Sequence, residues 1–208
     1  MLTIVELMSG IYRFLPNTLT VTLMVVGIML GKVSWILVSL GAVALIILTS
    51  ALQAAVSGTF NWGIPGKGFI RACSILPIDS DMIHVFPSLW ITMAAYYLSY
   101  ILCNASVIYT TSPKSVPKES MSVQQRKSIG IVSILTTIFL MSFIIIPRLI
   151  SECETRWGAV LGGIIGIHAG IGVWNLLNAC GPDMYPDIHG VMLGLKPGAL
   201  HLKPQACS

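Results

Sequence analysis

The chain has 208 residues, of which only 10% are Asp, Glu, Lys or Arg, against about 25% in an ordinary soluble domain. Apolar residues make up 55% and mean hydropathy is +0.84, so a soluble fold of this size would lack the charge to cover its exterior. The net charge of +4 is spread over several loops, which excludes a nucleic-acid footprint and suits anionic lipid headgroups instead.

The first predicted element is an amphipathic helix over residues 1–14. Met1, Ile4, Val5, Met8, Ile11 and Tyr12 fall on one helical face, with Leu15 just beyond, while Thr3, Glu6, Ser9 and Arg13 lie mostly opposite. That pattern predicts a helix lying in the membrane interface. It is not read as a secretory signal, because Glu6 and Arg13 flank no compact apolar region with a small-residue cleavage site.

Residues 15–56 carry a single charge, Lys32, beside Gly31. Read as one span, they would hold an ammonium deep in hydrocarbon, at a cost of at least about 2.5–3.5 kcal/mol. Two spans, 15–31 and 33–56, joined by a tight Gly31–Lys32 turn, bring it to an interface. Pro16 fits near the start of the first helix, where its missing N–H is no loss. A hairpin is expected.

The stretch 57–84 is rich in glycine, proline and charge and predicts a loop. A third span is expected over 86–109, with Pro87 at its start and Trp90 in the interfacial position aromatics favour. Residues 110–127 form the most hydrophilic loop. A fourth span follows over 128–146, ending at Pro147 and Arg148. The fifth covers 157–177, and residues 178–208 form a polar tail. The fold expected is an all-α integral membrane protein: a polytopic helical bundle of five transmembrane helices, led by the N-terminal amphipathic helix. On that topology seven basic residues fall on one face and five on the other, which favours the face with Lys32 and the tail as cytosolic.

Lipid provides no hydrophobic drive for helices to associate, so close backbone packing has to. In the fifth span Gly158, Gly162, Gly166 and Gly170 recur every four residues, with Gly163 and Gly172 beside them. This is a glycine zipper, a groove into which another helix presses. Gly27 and Gly31 repeat it in the first span, and Ala95, Ser99 and Cys103 echo the spacing in the third. Whether they pack within one bundle or against a second copy is left open.

His168, near the middle of the fifth span, is an ionisable side chain at membrane depth and so a suspect functional residue, and Asn104 in the third span is its polar counterpart. None of the five spans contains Asp or Glu to partner a proton relay, so both are read as structural, bonded to a neighbouring helix. The alternative is a channel or transporter-like path lined by the two. The charged loop from Arg148 to Trp157 is read as a solvated turn with local ion pairs, each worth under about 1 kcal/mol.

The five cysteines divide by topology. Cys73 and Cys153 lie in loops on one face, Cys180 and Cys207 in the tail on the other, and Cys103 in lipid. Either pair is a candidate disulfide, but a cell oxidises only one side. Asp183, Asp187, His189 and His201 stand near the tail cysteines without a zinc spacing. No hydrolase, metalloprotease, P-loop or dinucleotide motif is present, so neither enzyme activity, cofactor nor metal is expected.

The C-terminal third ends its glycine-rich span in Trp174-Asn-Leu-Leu-Asn-Ala-Cys180-Gly181. An Asp187-Ile-His-Gly190 element follows, and the chain closes on Lys203-Pro-Gln-Ala-Cys207-Ser208. Over residues 148–208 this resembles a family of small multi-pass proteins of nucleocytoplasmic large DNA viruses. The resemblance implies a structural protein of the viral inner membrane, linking bilayer to capsid. Its partners would be the lipid bilayer and other membrane or capsid proteins, including copies of itself. The thiol oxidases such viruses encode would let Cys180 and Cys207 pair even on a cytosolic face.

Overall fold

A computed structural model describes residues 4–60, 63–65, 82–84, 86–110, 123–150 and 154–180. Five helices dominate it: α1 (Ile4–Met29), α2 (Val33–Phe60), α3 (Leu89–Thr110), α4 (Val123–Ile150) and α5 (Arg156–Ala179). Four contain stretches long and apolar enough to cross a membrane: Val33–Val56, Leu89–Thr110, Lys127–Ile150 and Arg156–Ala179. The described apolar part of α1, Phe14–Met29, reaches about 24 Å at about 1.5 Å per residue. That is short of the roughly 30 Å of hydrocarbon, so α1 needs the turns before Phe14 to complete a crossing.

The bundle's surface and core show which solvent it is built for. Its exterior presents Ile47, Leu135, Phe139, Phe143 and Leu176, each at least 60% exposed. Its interior holds Thr92, Ser99, Asn104, Tyr96 and Tyr100 among the apolar residues. A water-soluble surface does not display a continuous apolar coat of this kind. The chain is a helical membrane protein.

The helix with the most hydroxyl groups sits in the middle. In α3, 72% of the spanning window is buried, against 12% in α4. Hydroxyls in hydrocarbon need acceptors, and a helix supplies them from its own carbonyls three or four residues back. Thr92 donates to the Ser88 carbonyl at 2.6 Å, Ser99 to Tyr96 at 3.0 Å and Ser106 to Leu102 at 2.8 Å.

The expected hairpin closes between α1 and α2. Gly31 takes φ +62°, a conformation glycine reaches without strain. The Gly31 N–H bonds the Ile28 carbonyl at 3.2 Å, and the Lys32 N–H bonds the Gly27 carbonyl at 2.8 Å. These two bonds form a Schellman stop. Gly27 then packs: a Cβ there would lie 2.9 Å from the Trp35 Cβ. Gly31 does not, since a Cβ would meet nothing within 4 Å; its role is the turn.

Several boundaries differ from expectation. Helix α1 runs unbroken through Pro16, with no division at residue 14, and Thr20 Oγ1 donates to the Pro16 carbonyl at 2.9 Å. Helix α2 continues to Phe60, past the expected end at 56. Within the expected loop β1 (Gly63–Pro65) pairs antiparallel with β2 (Met82–His84), Gly63 opposite His84. Helix α4 begins at Val123 and passes position 147 to reach Ile150. Proline is tolerated inside a membrane helix whose last turn is held by tertiary contacts, and Arg148 makes such contacts.

Candidate functional site: a glycine seam closed by a buried ion pair

The tightest packing joins α3 and α5, which run parallel. A Cβ on Gly162 would lie 2.6 Å from the Ser88 carbonyl oxygen. On Gly166 it would strike the Thr92 carbonyl oxygen and lie 2.8 Å from the Ala95 Cβ. On Gly170 it would strike both the Tyr96 carbonyl oxygen and Ser99 Oγ. Gly158, Gly162, Gly166 and Gly170 are all buried. The groove of one helix is therefore filled by the small-residue face of another, Ala95 and Ser99 included, within a single bundle. Carbonyls of residues 88, 92 and 96 at successive glycines give the geometry in which Cα–H···O contacts form. Gly163 and Gly172 stand beside the seam, with no atom within 4 Å of a Cβ.

Tyrosines tie the other side of α3 to the hairpin. Tyr96 donates its hydroxyl to the Val38 carbonyl at 2.8 Å, and Gly41 makes room, since a Cβ there would lie 2.7 Å from the Tyr96 oxygen. Tyr97 shares a 2.6 Å hydrogen bond with Thr20. The two rings meet edge to face at 5.1 Å. At the far end of α2, Gln53 Nε2 donates to the Pro87 carbonyl at 2.6 Å.

One end of the seam is closed by charge. Arg148 donates from Nε and Nη2 to Glu154 Oε1, at 3.0 and 2.7 Å. Its guanidinium carbon lies 4.6 Å from the centre of the Trp90 ring, a cation–π contact. The side chains of Arg148 and Glu154 are 2% and 4% exposed. Ser88 joins the ends of two helices: its hydroxyl accepts from the Ile91 N–H at 3.1 Å, capping α3, and bonds the Glu154 carboxylate. Its own N–H donates to the Gly158 carbonyl at 2.9 Å. Thr155 caps α5 by accepting from the Gly158 N–H at 3.0 Å. Burial pushes the Glu154 carboxyl above its ordinary range, while the Arg148 guanidinium and the Ser88 hydroxyl pull it back.

This end departs from the expectation of a solvated turn. The charges are close in sequence, but Ser88 and Trp90 arrive from α3 and seal them. Trp90 is itself 1% exposed, so at this end of α3 it is covered by protein and does not face lipid. Neither Ser88 nor the two tyrosines stood out in the sequence. The available signal was the comparative polarity of the third span: a hydroxyl-rich membrane helix belongs where neighbours can cover it.

Asn104 is buried within α3. His168 faces outward, and its Nδ1 is 2.8 Å from the Ile164 carbonyl of its own helix, not bonded to a neighbour. An outward ring satisfies its hydrogen bond locally, and among the described residues no other helix covers that face. The structure does not bring the two residues together on one surface. Cys103 is half-buried on α3, and Cys180 caps the end of α5, exposed. Cys73, Cys153 and Cys207 lie outside the described residues, so neither candidate disulfide is among them. Among the described residues no three His, Cys, Asp or Glu side chains gather. Compared with protein-family models, curated proteins and solved structures, the chain finds no match.

Proposed function

We propose that the chain is a non-enzymatic structural protein of a membrane, a rigid helical block that holds its loops and polar tail for neighbouring proteins. The observation that supports this reading is the α3–α5 seam. Backbone meets backbone at Gly162, Gly166 and Gly170, and the seam ends in an ion pair sealed by Ser88 and Trp90. Such packing resists relative helix motion, which suits a scaffold. The resemblance of residues 148–208 narrows the setting to the inner membrane of a large DNA virus, with the capsid as the partner on the tail's side.

Fractionation of purified particles tests the setting. The protein is expected in the detergent-extracted membrane fraction of the virion and cross-linked to a capsid or membrane neighbour through Lys196 or Lys203. Absence from that fraction removes the viral placement. Ion flux through liposomes carrying the purified chain tests the structural role, and a flux above that of empty liposomes removes it.

A further inference from the structure

Beside the seam, α3, α4 and α5 enclose an apolar groove of about 360 Å³ that opens outward. Met141 and Ile145 of α4 form one wall, Val160 and Ile167 of α5 the other, and Ile91 of α3 the back. Gly163 deepens it, since a Cβ there would meet nothing within 4 Å. One polar group stands on its rim: Arg156, exposed, at the first residue of α5.

Two features of Arg156 point outside the protein. A cation in the first turn of a helix opposes the helix dipole, and α5 has no acidic residue there to offset it. The nearest described acid along the chain, Glu154, is already held by Arg148. Arg156 therefore has no acidic partner among the described residues, and its guanidinium matches a phosphate in charge and in donor geometry.

The groove also has the dimensions of one leaflet. From Arg156 to Ile167 the helix rises about 16 Å, and half of the hydrocarbon layer is about 15 Å. A ligand with a phosphate at the interface and a hydrocarbon chain reaching the midplane fits both ends. We propose that this groove binds one anionic phospholipid, its phosphate on Arg156 and an acyl chain along Val160, Gly163 and Ile167. The proposal rests on the helices lying in a bilayer, and not on any virion placement.

The test uses the full chain purified in mild detergent, with phosphatidylglycerol or phosphatidylcholine of identical acyl chains added back. Native mass spectrometry counts the lipids retained. The wild type is expected to keep one phosphatidylglycerol in preference to phosphatidylcholine. Arg156→Gln should weaken that retention roughly tenfold, the scale of one charge-assisted hydrogen bond. Gly163→Leu should abolish it by filling the groove. Because Gly163 faces open space and leucine favours the helix over glycine, this variant should unfold at or above the wild-type temperature, which separates loss of the site from loss of the fold. Equal retention of the two lipids, or unchanged retention in either variant, overturns the proposal. So does a shift of Gly163→Leu from dimer to monomer with its bound lipid intact, which would make a second copy the occupant.

Discussion

Arg148 and Glu154 stand six residues apart and face each other from the end of α4 and the start of α5, Nε and Nη2 of the arginine converging on one carboxylate oxygen at 3.0 and 2.7 Å. Their common enclosure by α3 makes the pair a joint between three helices. A buried ion pair is costly to break from one side, because the remaining charge stays desolvated, yet often neutral to replace by apolar residues of similar volume. Arg148→Ala or Glu154→Ala is accordingly expected to destabilise the bundle by about 3–5 kcal/mol. The double variant Arg148→Met with Glu154→Leu should recover most of that loss. Equilibrium unfolding of the wild type and these three variants in mixed micelles measures both.

The same pair carries a pH dependence. Burial raises the Glu154 carboxyl above its unfolded value, so the folded state holds the proton more tightly than the unfolded chain. Linkage then sets the sign: this contribution is fully present below the unfolded carboxylate pKa and is lost as pH rises through the folded one. Unfolding midpoints of the wild type should fall across that window. Glu154→Gln, which stands in for the protonated acid at every pH, should lack this step. A wild-type midpoint that rises with pH through the same window would contradict the assignment.

The glycines of α5 should divide sharply by position. Gly166→Ala drives a methyl into the Thr92 carbonyl and Ala95, and overpacking of this kind costs about 1–3 kcal/mol. Gly172→Ala adds its methyl in open space. It should stabilise by up to about 1 kcal/mol through helix propensity. Thermal unfolding in detergent ranks the two, and equal effects would remove the distinction between seam and exterior.

A second contact admits a rescue experiment. Gly41→Ala sets a methyl against the Tyr96 hydroxyl, 2.7 Å from the ideal Cβ. Tyr96→Phe removes that oxygen and, with it, the bond to the Val38 carbonyl, at about 1 kcal/mol. In combination the two substitutions should cost less than the sum of their separate effects. Strict additivity would mean that the tyrosine does not reach the α2 backbone.

What the sequence made legible follows from how local each cause is. The turn at Gly31 and Lys32 is set by one charge that cannot stay in hydrocarbon and one residue able to adopt positive φ. The glycine face of α5 is set by a four-residue repeat, and Ala95 and Ser99 show the same spacing in α3, but only the structure brings the two faces together. By contrast, the burial of Arg148 and Glu154 depends on Ser88 and Trp90, about 60 residues earlier, and no local pattern announces that meeting. Helix ends were harder still. Both Pro16 and position 147 lie inside helices, because packing from outside holds turns that local chemistry would release.

The parallel course of α3 and α5 bears on how the molecule is made. Two neighbouring helices that point the same way cannot be consecutive, so α4 has to thread back across the bilayer before α5 can enter. Until then the hydroxyl-rich side of α3, with Thr92 and Ser99, faces lipid with only its own carbonyls for company. Insertion of α5 is thus the step that covers this side of α3. A nascent chain stalled before Arg156 would present that open flank to the quality-control machinery of the membrane.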